Sequence, residues 1–341
     1  MYLEHFDFTG QPFQLTPDPT FFFASIGHAR AAAYLEYGLC RAEGFVVITG
    51  DVGAGKTTVL RDLLEQLDRS KIEPAHIAST QVNADDLLQL VGKSFGLGND
   101  ASNKATILGM IETHLTLLHA QGKRALLIVD EAQNLGSRAV EELRMLSNFQ
   151  IGSKPLLQSF LIGQPEFRQL MRGNEMSQLR QRIIASYHLG PLQRNETEAY
   201  IKFRLTKVGW IDNPSFDADA FSQIHSASGG IPRRINALCD RLLLASYLDG
   251  NTRISATEVD AVQKELNQEL ESKLESDGVE LNASTISDSE TTRELRGVGL
   301  RLRLIEARLE LLGSTCMAIH RILTNVNKPP NPGERPNMKA V

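Results

Sequence analysis

A glycine-rich segment, Gly50-Asp51-Val52-Gly53-Ala54-Gly55-Lys56-Thr57, constrains the fold of this chain more than any other feature. It fits the pattern GxxxxGK[ST] and lies between an apolar run, Phe45–Thr49, and a helical pattern, Thr58–Leu67. A strand, a glycine-rich turn and a helix in this order form a phosphate-binding loop. The glycines let backbone N–H groups turn inward, and the helix N-terminus adds partial positive charge. The sequence therefore predicts a phosphate site at the end of a buried strand.

The residues of this loop have predicted roles toward a nucleoside triphosphate. We expect Lys56 to reach the β- and γ-phosphates and the Thr57 hydroxyl to ligate Mg²⁺. The predicted cofactors are therefore ATP and Mg²⁺. The other predicted nucleotide contacts are the remaining loop residues and the residue that follows the loop: Gly50, Asp51, Val52, Gly53, Ala54, Gly55 and Thr58.

A second apolar run, Ala125–Val129, ends in two carboxylates, Asp130 and Glu131. If this strand lies beside the first, Asp130 comes near the Mg²⁺ ion in the Walker-B position. Glu131 lies on the other side of the pleat and is suited to polarise the attacking water as a general base. The alternative is a pair of exposed acids at the end of a strand. The pattern predicts an enzyme that hydrolyses ATP to ADP and phosphate.

Two arginines near the end of the α/β region, Arg180 and Arg182, are candidates for an arginine finger. Such a residue reaches the γ-phosphate bound by a neighbouring subunit, so the role requires a homo-oligomer such as a ring. The alternative is a pair of ordinary surface arginines. The sequence does not decide which of the two would act.

Strand and helix patterns alternate over residues 44–192, and only helical patterns follow. This change predicts an α/β fold with a parallel-sheet core, covered on both sides, and a small all-helical lid over residues 193–266. The predicted strands are Phe45–Thr49, Ala75–Thr80, Ala125–Val129 and Gln158–Ile162. The predicted lid helices are Glu196–Val208, Ala218–Ala227, Pro232–Leu248 and Ala256–Leu270.

Both ends of the chain differ from this core. Residues 1–43 hold nine of the 21 aromatic residues, and we expect this segment to pack on the core, although a partner or an adenine base is an alternative contact. Residues 267–290 are acidic and predict a flexible linker. Residues 291–327 carry apolar residues at alternating spacings of three and four, which predicts a coiled coil; the alternative is a helix folded back on its own core. Residues 328–341 contain four prolines and predict a disordered tail.

Composition narrows the class of protein further. The net charge of −5 argues against binding nucleic acid through bulk positive charge. The 3 cysteines are far apart and form no disulfide framework, which fits a reducing compartment. No apolar run is long enough to cross a bilayer, and the N-terminus lacks a signal-peptide pattern. We therefore expect a cytoplasmic protein and leave open a peripheral position at the inner membrane.

Taken in order, these elements resemble the AAA+ ATPase superfamily, whose Gly-x-Pro-Arg lid signature is matched by Gly230-Ile231-Pro232-Arg233. This resemblance implies that Arg233 is the sensor-2 arginine. It places Gln164 at the sensor-1 position, where Asn or Thr is commoner. It also implies that a polar residue at the end of the second strand, Gln81 or Asn83, holds Glu131 inactive until ATP is engaged.

Further motifs of the chain include Gly10-Gln11-Pro12-Phe13, Asp130-Glu131-Ala132-Gln133-Asn134-Leu135, Leu161-Ile162-Gly163-Gln164-Pro165-Glu166 and Ser186-Tyr187-His188-Leu189-Gly190-Pro191-Leu192. Through these motifs, and over residues 1 to about 265, the chain is similar to the general secretion pathway A-type ATPases. Within that group it most resembles the ATPase associated with the exosortase A/PEP-CTERM system. The A-type proteins carry a transmembrane helix and a peptidoglycan-binding part after the ATPase. Since no such segment is seen here, we do not expect a direct role in remodelling peptidoglycan.

This resemblance implies Mg²⁺-dependent ATP hydrolysis that energises or regulates exopolysaccharide-linked protein export or sorting at the cell envelope. A DNA-associated ATPase of the transposition or replication-initiator type is the alternative, because such proteins share this core. They usually bring a winged-helix domain or a basic surface, whereas the sequence after the lid is acidic. A scaffold that binds ATP without turnover is disfavoured by the complete set of Lys56, Thr57, Asp130 and Glu131.

Overall fold

The structure is a computed structural model of the 341-residue chain. It describes residues 2–283 apart from 15, 17, 79–82 and 99–102. The chain divides into two compact units, residues 1–267 and 268–341. Of the second unit, only the helical residues 268–283 are described.

The strands and helices follow the alternation that the sequence predicts. In chain order the strands are β1 (Phe45–Gly50), β2 (Ile72–Ala78), β3 (Arg124–Asp130), β4 (Gln150–Ile151), β5 (Lys154–Pro155), β6 (Leu157–Gly163), β7 (Ile183–Leu189), β8 (Ser215–Phe216) and β9 (Arg253–Ile254). The helices are α1 (Tyr2–His5), α2 (Ile26–Arg41), α3 (Lys56–Gln66), α4 (Ala84–Ser94), α5 (Lys104–Ala120), α6 (Ser137–Leu146), α7 (Pro165–Leu170), α8 (Ser177–Arg180), α9 (Arg194–Thr206), α10 (Ala218–Ser228), α11 (Pro232–Leu248) and α12 (Ala256–Ala283). Short 3₁₀ turns lie at Pro19–Phe21, Ala132–Asn134 and Asn174–Met176.

A five-stranded parallel sheet in the order β2-β3-β6-β1-β7 forms the centre of the first unit. Alternate residues of its strands enter two separate apolar clusters. One cluster includes residues of α4, α5 and α6, and the other includes residues of α2 and α3. Strands β1 and β6 are buried along their whole length, which explains the apolar run of β1. Strand β6 also buries two polar residues, Gln158 and Ser159. The predicted parallel sheet with helices on both faces is confirmed.

Two features of the sheet differ from the sequence prediction. Strand β3 does not lie beside β1, because β6 pairs with both and separates them. Strand β7 was not predicted. It is an edge strand of mixed burial with polar and aromatic residues among its apolar ones, so it lacks the uniform apolar run that identified the central strands.

Helices α9 to α11 and the first turns of α12 share one apolar cluster that corresponds to the predicted lid. The prediction that this region is all-helical is wrong in one detail, because β8 and β9 form a short parallel pair. A pair of two-residue strands leaves no periodic pattern in a sequence, so only the paired backbone reveals it.

The N-terminal aromatic residues pack mainly on this helical region, and not on the core as expected. Phe6, Phe8 and Phe13 are buried in the same cluster as the lid helices. Tyr2 also donates a hydrogen bond to Asp240 of α11, at 2.7 Å. Aromatic content predicts burial, but it does not say which neighbouring domain receives the rings.

Helix α12 continues to Ala283 and so covers most of the segment predicted as a flexible linker. The physical reason is local, because the helical part of this segment is rich in Glu and Leu, which are good helix formers. The predicted coiled coil (291–327) and tail (328–341) lie outside the described residues. Among the described helices, none is long and apolar enough to cross a membrane.

Candidate nucleotide-binding site

The loop between β1 and α3 is closely surrounded by two other segments. Gly53 and Gly55 have φ angles of +82° and +98°, a region that favours glycine. A Cβ on Gly53 would lie 2.4 Å from the Cβ of Arg233, and one on Gly55 would lie 2.4 Å from Nε2 of His28. The glycines therefore allow α2 and α11 to touch the back of the loop.

Carbonyl groups of the loop accept hydrogen bonds from Lys56 within the loop and from Arg233 and His28 outside it. Lys56 Nζ donates to Gly50 O (2.6 Å) and Asp51 O (2.9 Å), Arg233 N to Gly53 O (3.2 Å), and His28 Nε2 to Ala54 O (3.1 Å). Carbonyls held in this way are turned away from a bound anion. The first N–H groups of a helix have no intrahelical partner, so those at the start of α3 remain available to a phosphate. The N–H of Thr58, by contrast, donates to Gly55 O at 3.1 Å.

Lys56 is buried although it carries an ammonium group. Burial lowers its pKa below the usual value, against the opposing charges of Glu131 and Asp130, which are the nearest acids. A buried ammonium that faces two carboxylates and a helix N-terminus is well placed to bind a polyanion.

Thr57 and Asp130 meet at the carboxyl edge of the sheet, where the Thr57 hydroxyl donates to Asp130 Oδ2 at 3.3 Å. The parallel register of β3, β6 and β1 aligns the ends of these strands. Asp130 therefore reaches the loop across the intervening strand, although the expectation that β3 lies beside β1 is wrong. A hydroxyl and a carboxylate at this distance fit Mg²⁺, which prefers oxygen ligands.

Glu131 has a left-handed backbone, with φ +53°, which is unusual for a residue other than glycine. Its carboxylate accepts hydrogen bonds from the side-chain amides of Gln133 and Gln164, the latter at 3.0 Å. The two glutamines are also joined, because Gln164 N donates to Gln133 Oε1 at 2.9 Å. The Glu131 side chain is therefore held in one position by a pair of linked amides.

The same contacts affect the charge state of Glu131. Burial acts to raise the pKa of its carboxyl group, but the bonds from Gln133 and Gln164 and the charge of Lys56 outweigh burial. The pKa of Glu131 consequently lies below its usual value, and the side chain is a carboxylate near neutral pH.

Of the two residues that the resemblance implied as holding Glu131 from the second strand, the structure describes only Asn83, which makes a different contact. Asn83 caps α4, where its side-chain oxygen accepts from Asp86 N at 2.9 Å. Gln81 lies outside the described residues. Gln133, two residues beyond Glu131, makes the contact instead. Gln133 belongs to the motif Asp130-Glu131-Ala132-Gln133-Asn134-Leu135, but nothing in that sequence indicates that its side chain bonds to Glu131.

The two finger candidates bond to their own chain. Arg180 Nη1 donates to the carbonyls of Met171 and Gly173. Arg182 donates to Ser147 and to Asn148 at the end of α6. Neither arginine is among the described residues that line the cavity at the loop.

A cavity of about 400 Å³ opens beside the loop, between the N-terminal segment and the helical region. The phosphate loop, Lys56, Thr57 and Glu131 line one end. The other end is aromatic and includes residues that the sequence did not single out. These are Tyr200, Arg204 and Asn236, beside Phe21, Phe22 and Phe23; His28, also missed, lines the cavity at the loop.

Arg204 supplies a buried positive charge at the aromatic end. Its Nη1 donates to the Tyr200 hydroxyl at 3.1 Å, and its guanidinium carbon lies 4.9 Å from the centre of the Phe21 ring. Tyr200 in turn donates to Asn236 Oδ1 at 2.8 Å. No sequence pattern links these residues, because Arg204, Asn236 and Phe21 come from different segments that meet only in the fold.

The strand order, the loop and the paired carboxylates define a P-loop nucleotide-binding fold of the AAA class. Residues 40–171 match the family described as AAA domain. The chain is also 42% identical over 255 residues to the General secretion pathway protein A of Aeromonas hydrophila, a match that covers 74% of this chain and 46% of that protein. The chain thus spans about half the length of this relative.

Solved structures show the same fold at low sequence identity. Cdc6p from Pyrobaculum aerophilum superposes with a TM-score of 0.58 at 16% identity, covering 73% of this chain and 71% of that one. The Aeropyrum pernix ORC1 protein in complex with DNA gives a TM-score of 0.55 at 16% identity, covering 75% and 69%. At these identities the likeness shows the fold alone, and it confirms the predicted AAA core.

Proposed function

We propose that this protein binds Mg²⁺-ATP between the phosphate loop and the helical region and hydrolyses it. The observation that carries the proposal is that Lys56, Thr57 and Glu131 line a single cavity, with Asp130 bonded to Thr57 beside it. Lys56 and Thr57 begin helix α3, and Asp130 and Glu131 stand at the end of strand β3. Each has the chemistry that phosphoryl transfer to water needs.

In this proposal, Lys56 and the N–H groups at the start of α3 hold the β- and γ-phosphates. Thr57 and Asp130 hold Mg²⁺, which would supply neutralising charge to the phosphate oxygens. Glu131 accepts a proton from the attacking water, and Gln133 and Gln164 keep its carboxylate aimed and charged. Gln164 therefore acts at the sensor-1 position through Glu131.

The nucleoside end is proposed to occupy the aromatic part of the cavity. The rings of Phe21 and Phe23 and the cation of Arg204 provide stacking faces and a hydrogen-bond donor for a base. In this proposal the aromatic residues of the N-terminal segment have two roles. Some rings pack on the helical region, and others line the cavity where they would contact the base. Arg233 is proposed to contact phosphate from the lid side.

Gln164→Leu or Gln133→Leu should move the acidic limb of the pH profile of kcat to higher pH. Glu131 must be ionised to accept a proton, so turnover is lost as pH falls through its pKa. Removing a hydrogen bond to the carboxylate raises that pKa, and the loss then begins at a higher pH. Steady-state ATP hydrolysis across the acidic range measures the limb, and Gln169→Leu on the exposed face of α7 is the matched control. An unshifted limb in both variants would contradict the role assigned to these amides.

We further propose that the protein forms a homo-oligomer in which Arg180 or Arg182 of one subunit serves the nucleotide of the next. This requires the chosen arginine to leave the acceptors it bonds within its own chain. The proposed domain boundaries are 44–192 for the core, 193–266 for the lid and 291–327 for a coiled coil that pairs chains.

The process served by the ATPase is proposed from the likeness to the General secretion pathway protein A. ATP turnover would energise or regulate protein export or sorting at the cell envelope. More specifically, we propose that this process is the exosortase A/PEP-CTERM system and is linked to exopolysaccharide assembly. The protein would then act on the cytoplasmic side, where ATP is available, with a peripheral contact to the inner membrane.

Steady-state ATP hydrolysis with and without Mg²⁺, and with and without duplex DNA at low salt, tests this function. We expect Mg²⁺-dependent turnover that DNA leaves unchanged. Stimulation of about tenfold or more by DNA would favour the DNA-associated alternative, since phosphate contacts dominate binding at low salt. Absence of turnover in all conditions, with ATP bound, would leave a nucleotide-binding scaffold.

A further inference from the structure

We propose that His28 is a positioning residue for the phosphate loop, and that its Nε2–H group holds the Ala54 carbonyl away from the nucleotide. This inference rests on the proposed function, because it names a residue that prepares the same site for nucleotide. His28 lies in the first turn of α2, 26 positions before Ala54 in the chain.

The hydrogen bonds around His28 fix its tautomer. A carbonyl oxygen can only accept, so the 3.1 Å contact with Ala54 O requires a proton on Nε2. Nδ1 of the neutral ring must then accept, and the Ser25 hydroxyl lies 2.6 Å from it. Ser25 Oγ also accepts from the His28 main-chain N–H at 3.2 Å. Ser25 therefore caps α2 and orients the ring with one hydroxyl group.

The environment of the ring favours this neutral state. His28 is only 5% exposed, and burial lowers the pKa of the imidazole below its usual value, against the opposing effects of the Ala54 carbonyl and the charge of Glu196. The ring also makes an edge contact with Phe22, with centroids 6.0 Å apart. A buried, neutral, fully bonded ring is a fixed support and not a mobile surface group.

Helix α2 is itself held firmly against the sheet, so the support does not move independently of β1. A Cβ on Gly38 would lie 2.4 Å from the Val46 side chain, which shows how closely α2 approaches the strand that leads into the loop. His28 on α2 and the loop after β1 are therefore held in a fixed relative position by the packing of α2 on β1. Because a Cβ on Gly55 would lie 2.4 Å from His28 Nε2, no larger residue fits at position 55 of the loop.

This arrangement predicts an effect on nucleotide affinity more than on turnover. The loop N–H groups bond phosphate oxygens both before and during the reaction, so a misplaced loop weakens both states alike. Such a uniform loss raises KM and leaves kcat nearly unchanged. A residue that touched the reacting atoms would lower kcat instead.

The test compares three substitutions at this position. His28→Gln keeps a side-chain N–H near the place of Nε2, whereas His28→Asn is too short to reach it and His28→Phe keeps the ring without a donor. We expect His28→Asn and His28→Phe to raise the dissociation constant of a fluorescent ATP analogue about tenfold, and His28→Gln to stay within about twofold of the wild type. kcat at saturating ATP should change by less than about twofold in all three.

His114→Phe is the matched control, because His114 is also partly buried, bonds Glu73 at the opposite edge of the sheet and touches the Phe95 ring. It should leave ATP affinity unchanged. Equal affinity in His28→Asn and the wild type would overturn the inference, and so would a His28→Gln variant as weak as His28→Asn. If His28→Phe does not fold, the ATP affinities of His28→Gln and His28→Asn still test the role of the Nε2–H group. Failure of the wild type to bind ATP would contradict the proposed function and not this residue's role within it.

Discussion

Replacing Glu131 with glutamine is expected to leave ATP bound and to lower kcat by about 10²- to 10⁴-fold, the usual contribution of a general base. The amide of glutamine fits the same space, and its oxygen can still accept from Gln133 and Gln164, so the site should keep its shape. The amide cannot accept a proton from water. The measurement is kcat from steady-state ATP hydrolysis, together with the dissociation constant of ATP for the same preparation.

Glu166→Gln supplies the control for this prediction. Glu166 is an exposed acid at the start of α7, two positions after Gln164, and its charge also acts on Lys56. Neutralising it should change kcat little. If Glu131→Gln turned over ATP like the wild type, another group would have to be the base, and the adjacent carboxylate of Asp130 would be the first to examine.

Lys56→Ala should abolish nucleotide binding in the working range, with a rise in the dissociation constant of about a hundredfold or more. Hydrogen bonds to charged groups contribute about 1.5–3 kcal/mol each, and Lys56 would lose its bonds to the phosphates. The change also removes the donor that holds the Gly50 and Asp51 carbonyls. The loop itself should therefore become less ordered before any ligand arrives. Calorimetric titration with ATP measures the loss.

Lys71→Ala tests whether charge alone explains such a result. Lys71 is exposed just before β2 and pairs with Asp68, so its removal changes the net charge by the same amount. It should bind ATP like the wild type. If Lys56→Ala retained wild-type affinity, the phosphate site would have to be formed by main-chain groups alone, and the assignment of Lys56 would be wrong.

The local part of this site could be predicted from sequence because it is encoded locally. A single loop between a strand and a helix contains the phosphate-binding residues Gly50, Gly55, Lys56 and Thr57, so their spacing can be read directly from the sequence. Likewise, Asp130 and Glu131 stand directly after an apolar run. Such features depend on neighbours within a few residues, and the structure places them where the pattern requires.

Contacts between distant segments could not be predicted in this way. The insertion of β6 between β1 and β3 follows from strand pairing, which a single sequence does not record. His28 reads as one histidine in an ordinary helix until the fold brings it 3.1 Å from Ala54 O. Gln133 lies between these two cases. The sequence contains its motif, but its bond to Glu131 depends on the left-handed backbone at that glutamate.

The main-chain bond from Arg233 N to Gly53 O links the helical region directly to the phosphate loop. Helix α11 is tethered through its first turn, where an N–H group has no partner within the helix, so the loop carbonyl completes the helix end. Any displacement of α11 from the loop would have to break this bond. Since the donor belongs to the backbone, replacing the Arg233 side chain would remove the proposed phosphate contact and leave this main-chain bond in place.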